Sequence, residues 1–345
     1  MITKRKFSIK ELAFLFCGIT TSVLGLIAFL TVGPMTWQAI RQMQCKYLLL
    51  SLALGGIVIS LDSVKLQVLS RAAGTKITFP FSLETTLLYF FVSSVTPTIT
   101  GGEPLMIYML NQKDMPLGKA TTVIFLRGVL LLSMLAIAAP IIIYFHGELI
   151  RNTFIKGFFY YVAALLTLLV LFLIYSLFNP LKGEEIVHKM LQGLRRSKIL
   201  GRYSERLEKK IKVWIDDFSS CLKEFMKYKR KALMWATLLT GGSLMANFSI
   251  AFTVLKGLNH TLPILQVFMI QFVLYFFLYF TPTPGGTGVA EGGGYLMFSS
   301  SIPTHVLGIF VILWRFFAIY VWVIIGGLLM TKTVGLDILD KISRP

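Results

Sequence analysis

Two pairs of opposite charge sit inside stretches that are otherwise apolar, and both pairs share one spacing. Glu103 and Arg127 are 24 residues apart, as are Glu291 and Arg315, and the second pair follows the first by 188 positions. A charged side chain in hydrocarbon costs several kcal/mol, so each of these must face a protein interior or a cavity and find a partner there. Arginine offers a planar fork of N–H donors that meets a phosphate through two bonds at once. Beside each glutamate lies a Gly- and Pro-rich run: Thr100-Gly101-Gly102-Glu103-Pro104 in the first case, and Thr281-Pro282-Thr283-Pro284-Gly285-Gly286-Thr287-Gly288 shortly before Glu291 in the second. Gly101-Gly102-Glu103-Pro104 reads as a tight turn that opens a helix, with Pro at an early helical position. Backbone N–H groups at such a turn, beside glycines that lack Cβ, form a seat for an anion. The candidate substrate-binding set is therefore Gly101, Gly102, Glu103 and Arg127 with Pro282, Pro284, Gly285, Gly286, Gly288, Glu291 and Arg315. A purely structural reading, in which each Glu pairs with an Arg to hold its loop, is compatible with it. A carboxylate that yields its arginine to a phosphate would serve both purposes, so the two glutamates are expected to be switchable partners rather than direct ligands; the alternative is that the ammonium of an aminoacylated headgroup satisfies the Glu directly.

Other ionisable groups are fewer and less suggestive. Asp62 and Lys65 lie three residues apart on one helix face, where a local ion pair is expected; they are secondary candidates. Glu84 falls near the start of an apolar run, where the positive end of a helix dipole accommodates it without any function. The histidines His146, His188, His260 and His305 show no metal spacing, and the cysteines Cys17, Cys45 and Cys221 show no metal or redox spacing. No phosphate-binding loop or nucleophile elbow occurs. Neither a catalytic residue nor a metal or cofactor is expected.

The elements that must hold these charges are membrane helices. Of the 345 residues, 55% are hydrophobic and 14% charged, with mean hydropathy +0.74, whereas soluble domains are about one quarter charged. A net charge of +18 on a soluble chain would suggest nucleic acid. Here the basic residues lie between apolar runs and serve orientation, so no nucleic-acid partner is expected. Apolar runs of spanning length, about twenty residues, cover 12–40, 47–69, 121–145, 158–178, 232–255 and 305–330. The first is too long for the apolar core of a signal peptide and has no small-residue cleavage site, so it reads as a retained helix. Residues 79–110 and 262–298 are apolar too, but their Pro/Gly runs break them into half-helices. The expected fold is an all-α polytopic membrane protein, a single domain over 1–345, with six spanning helices and two re-entrant helical hairpins. Kinked helices or short surface loops are the alternative to the hairpins.

On that topology 26 Lys and Arg fall on the side of the N-terminus and 5 on the other. Such an excess faces the cytoplasm, which places both termini there and the chain in the cell membrane. Fifteen of those basic residues lie in 182–231, a cytoplasmic helical segment with apolar positions at Leu207, Ile211, Val213, Trp214 and Phe218. It would either lie against anionic headgroups or form a solvated helix hairpin.

The tetrad Leu88-Tyr89-Phe90-Phe91 recurs as Leu274-Tyr275-Phe276-Phe277, each time before a Thr-Pro and a Gly-rich turn. Together with the repeated Glu and Arg, this implies two units. The topology turns one hairpin inward from each side, so the units are an inverted repeat, an architecture that transporters use to place a substrate site near the midplane.

The run from Thr281 to Glu291 is similar to the signature of the lysylphosphatidylglycerol synthase transmembrane family, and Thr100-Gly101-Gly102-Glu103-Pro104 resembles the earlier Gly-Gly-Glu-Pro element of that family. The resemblance extends over nearly the whole chain. It implies a flippase-like domain that moves an anionic or aminoacylated phospholipid, or an isoprenoid phosphate, between leaflets. In two-part members a separate soluble domain transfers lysine, and that domain is not found in these residues, so a lipid translocase or scramblase is the first hypothesis. A membrane subunit or enzyme of lipid modification is the second. The expected partner is membrane lipid, and a homo-oligomer is compatible with the sequence.

Overall fold

Apolar runs bounded by Pro and Gly become helices throughout the part of the chain that the computed structural model describes, residues 34–96, 100–146 and 205–333 with a few isolated positions elsewhere. The helices are α1 (Pro34–Arg41), α2 (Cys45–Ala72), α3 (Phe79–Val95), α4 (Glu103–Asn111), α5 (Leu117–Phe145), α6 (Glu205–Lys227), α7 (Arg230–Gly257), α8 (Ile264–Tyr279), α9 (Val289–Phe298), α10 (Thr304–Arg315) and α11 (Val321–Thr333). There is no strand among the described residues. Most of the expected first span, the whole run 158–178, residues 182–204 of the basic segment and 97–99 of the first Gly-rich loop lie outside them.

Proline marks the helix starts. Pro80 and Pro104 occupy the first turns of α3 and α4, and Pro116, Pro263 and Pro303 immediately precede α5, α8 and α10. The first N–H groups of a helix have no intrahelical acceptor, so a residue without an N–H is tolerated there. Four helical lengths among the described residues are long and apolar enough to cross a membrane: Cys45–Ala72, Leu117–Phe145, Arg230–Gly257 and Thr304–Thr331. The last joins α10 to α11 through a π turn at Phe316–Tyr320, a feature without a signal in the sequence. α3 and α8 are apolar but shorter, 17 and 16 residues.

Long, short, short, long is thus the order from α2 to α5, and again from α7 through α11. Each pair of short helices folds back on itself. Lys113, just past α4, stands 5.0 Å from the ring of Phe81 near the start of α3. Gln266 at the start of α8 donates to Ser301 Oγ beyond α9 at 2.9 Å.

The two sets pack reciprocally. α2 and α7 run antiparallel side by side, with Gln44 donating to Asn259 at 2.6 Å at one end, Ser51 and Thr253 sharing a 2.7 Å hydrogen bond, and Leu61 close to Gly242 further along. α3 lies on α11, where a Cβ at Gly326 would overlap the Leu87 carbonyl. α8 lies on α5, with Val273 and Phe276 in one core with Leu135 and Ala139. Small residues allow such close approach between apolar helices, where dispersion and not water exclusion holds them.

α6 covers the start of α5. Trp214 Nε1 donates to Thr121 Oγ1 at 3.1 Å, Thr122 Oγ1 donates to the Phe218 carbonyl at 3.2 Å, and Cys221 and Phe225 join Ala120 and Ile124 in the core. Part of the apolar face expected on this segment is therefore used against the protein itself.

Candidate functional site

Charged and polar side chains from both sets of helices meet at one central cavity of about 160 Å³. Asp62 and Lys65 reach it from α2, Tyr89 and Ser93 from α3, Glu103 from the start of α4, and Arg127 and Gly128 from α5. The second set supplies Ser243 and Asn247 from α7, Tyr275 and Tyr279 from α8, Gly285, and Arg315 at the end of α10.

The two Glu/Arg sets differ in their bonding. Glu291 and Arg315 form a closed unit, 0% and 1% exposed, with Arg315 Nε 2.8 Å from Glu291 Oε1. Tyr320, carried by the π turn, donates to the same oxygen at 2.7 Å, and the Gly288 N–H donates to Oε2 at 2.7 Å. Arg315 also donates to the Gly285 carbonyl at 3.4 Å. Gly285, Gly286 and Gly288 have φ of 59°, 70° and 87°, a left-handed region that explains why this loop is built of glycine. Buried charge here is met by four hydrogen bonds, the kind of support that lets an ion pair survive desolvation.

Arg127 is bonded otherwise. The carboxylate in close contact is Asp62, with Oδ2 3.5 Å from Arg127 Nη2; the expected partner Glu103 acts on Arg127 through its charge, without a close contact among the described residues. The other Asp62 oxygen takes Lys65 Nζ at 2.6 Å, the local ion pair anticipated from their spacing. Asp62 thus stands between two cations. The Arg127 guanidinium lies 4.3 Å from the centre of the Tyr89 ring, a cation–π contact, and its buried Nε has no hydrogen-bond partner among the described residues. The Glu103 side chain is only half-buried against the cavity and makes no hydrogen bond or close ion pair among the described residues. The reason lies in the helix packing: α2 sets Asp62, and α3 the Tyr89 ring, against Arg127.

The glycine loops also depart from the anion-seat expectation. The N–H of Gly102 is donated to Ser93 Oγ at 3.1 Å, that of Gly286 to the Thr283 carbonyl at 3.0 Å, and that of Gly288 to Glu291. Gly101 sits in the turn before α4, Pro282 is exposed, and Pro284 is buried. Positive charge at the cavity comes from Arg127, Lys65 and Arg315, not from those three N–H groups.

Several cavity residues were not singled out by sequence. Tyr275 donates to Asn247 Oδ1 at 2.6 Å, and Tyr89 stacks on Arg127. Both tyrosines belong to the repeated aromatic tetrad, so that repeat carried the signal. Asn247 lies 185 positions after Asp62, equal to the offset between the starts of α2 and α7. The second set has an amide where the first has a carboxylate.

Residues 12–326 match the family model described as the lysylphosphatidylglycerol synthase TM region. The chain belongs to this family. A UPF0104 membrane protein from Archaeoglobus fulgidus is 25% identical over 317 residues, 90% of this chain and 93% of that one. This member of the family is a membrane protein, and its central charges are to be understood inside a bilayer.

Proposed function

We propose that this family member moves a lipid with a phosphate-bearing headgroup, an anionic or aminoacylated phospholipid or an isoprenoid phosphate, between the leaflets of the cell membrane. The observation that carries the reading is the meeting of Arg127 and Arg315, one from each set of helices, at a single cavity where Arg127 Nε lacks a partner among the described residues. A phosphate entering there meets a planar fork already held in place by Tyr89 and Asp62. The family name, which refers to a lysylphosphatidylglycerol synthase, agrees with a lipid substrate.

The architecture supports the same reading. The equivalent helices α2 and α7 are antiparallel, and the reciprocal packing of α3 on α11 and α8 on α5 has the pattern of a two-fold relation. If α2 and α7 span the bilayer, that axis lies in the membrane plane, the short helices are re-entrant hairpins, and the units form an inverted repeat. Such symmetry gives one site two equivalent routes of access, one from each leaflet. Both termini then face the cytoplasm.

Reconstitution tests the proposal. Purified protein in liposomes should expose fluorescent phosphatidylglycerol of the inner leaflet to a membrane-impermeant quencher, and Arg127→Lys should slow this. Liposomes in which no lipid of an anionic, aminoacylated and isoprenoid-phosphate panel moves faster than in protein-free controls would sink it. Formation of a modified lipid from an activated donor would point instead to an enzyme.

A further inference from the structure

Glu103 is an acidic side chain beside a phosphate-sized cavity, and among the described residues nothing bonds to it. An ionised carboxylate in a bundle interior is costly unless paired, and its counterpart Glu291 has three donors. The space next to Glu103 is defined by a missing side chain. A Cβ at Gly128 would stand 3.4 Å from Glu103 Oε1 and 3.6 Å from Tyr279 OH, the only atoms within 4 Å among described residues outside its own stretch of α5. The Tyr279 hydroxyl likewise makes no hydrogen bond among the described residues. One residue away on α5, Arg127 is 7% exposed and presents its unpartnered Nε.

We propose that Glu103, Tyr279 and the bare backbone of Gly128 form a slot for a hydrogen-bond donor, a hydroxyl or an ammonium, carried by the headgroup beyond its phosphate, and that Gly128 sets the size of that slot. The inference rests on the lipid reading above and adds a second contact point to the arginine clamp. The occupant rests on the bare Gly128 Cα at van der Waals distance, about 3.5 Å, and bonds from there to the two oxygens in the hydrogen-bond range of about 2.7–3.2 Å. The Glu103 carboxylate accepts and the Tyr279 hydroxyl does either, so the occupant must donate to be held by both. A quaternary ammonium has no N–H for Glu103, and a bare phosphate monoester has no group that extends so far. Arg127 holds the phosphate through its free Nε and Glu103 holds the donor, so one headgroup with both engages the two together.

The experiment compares binding of short-chain phosphatidylglycerol, phosphatidylethanolamine, phosphatidylcholine and phosphatidic acid to the full-length chain in detergent, read as lipid-dependent thermal shift. Wild type should prefer the first two, the hydroxyl and ammonium bearers, over the last two by about tenfold, the size of one hydrogen bond to a charged group. Gly128→Ala puts a methyl into the opening at ordinary van der Waals distances, so it should fold as wild type and lose that preference while still binding phosphatidic acid. Glu103→Gln should weaken the preference for ethanolamine more than that for glycerol, since only the former brings a charge. Arg127→Lys should weaken all four lipids alike. An unchanged preference in Gly128→Ala and Glu103→Gln, with Arg127→Lys still weakening every lipid, overturns the slot and leaves the phosphate reading intact. Absence of any lipid-dependent shift in wild type overturns both.

Discussion

At the scale of single residues, the two arginines hold different positions in their own networks and should respond differently to substitution. Arg315 is bonded through Nε to Glu291 and through Nη2 to the Gly285 carbonyl, and Glu291 takes two further donors. Glu291→Gln leaves a buried guanidinium without its counter-charge, a change that typically costs about 3–5 kcal/mol. It should appear first as a lower melting temperature in detergent; an unchanged melt would mean that the pair does not hold the second loop. Arg127 is held by a long contact to Asp62, by Tyr89 and by the more distant charge of Glu103. Arg127→Lys keeps the charge and loses the fork, so lipid movement should fall by about tenfold with little change in melting temperature. Full transport by this variant would reduce Arg127 to a structural cation. Glu103→Gln removes no bond present among the described residues and should leave the melt as it is.

Helix packing sets the next level, and here glycines matter by what they leave out. α11 approaches α3 so closely at Gly326 that a Cβ would overlap the Leu87 carbonyl, a backbone atom that cannot rotate away. Gly326→Ala must therefore push the two helices apart, with a loss of about 1–3 kcal/mol. Gly56 is the control. A Cβ there meets only the rim of Trp322 at 3.8 Å, so Gly56→Ala should be neutral or add up to about 1 kcal/mol through helix propensity. Thermal unfolding of the two variants side by side separates close packing from mere helix preference. The α5–α6 contact offers a second probe. Burial pushes the Cys221 thiol pKa up, so less of it is thiolate at pH 8. In Cys17→Ser protein a maleimide should modify exposed Cys45 readily and Cys221 only after α6 is unfolded; equal rates would show that α6 does not stay on α5.

For the whole molecule, the consequence of the reciprocal packing is that loops sort to two ends. Gln44 meets Asn259, and Thr36 donates to the His305 carbonyl, so the turns after α1, after α7 and before α10 gather at one end. α6 and the start of α5 lie at the other. In the proposed orientation α6 faces the cytoplasm, which puts Cys45 outside. An impermeant maleimide applied to intact cells should therefore label Cys45, and should label Lys212→Cys in a cysteine-free chain only from inverted vesicles. The opposite pattern would reverse the orientation and exchange the leaflets served by the two routes.

Much of this architecture is legible in the amino-acid sequence because it depends on local chemistry. Apolar length, the proline at several helix starts and the Pro/Gly runs place the helices and their breaks to within a few residues, as at Thr96 to Gly102 and Phe280 to Gly288. The repeated 24-residue spacing also pointed to Glu291 with Arg315. The tertiary structure alone decided that Asp62 and not Glu103 reaches Arg127, that a π turn turns Tyr320 onto Glu291, and that Gly128 opens toward Tyr279. These are relations between helices. A membrane helix that is apolar on every side carries no periodic record of which face turns inward, and the partner of a charge then depends on the rotation and crossing of neighbours. Glu103 and Glu291 sit in matching places along the chain; only packing made one a closed latch and left the other facing the cavity.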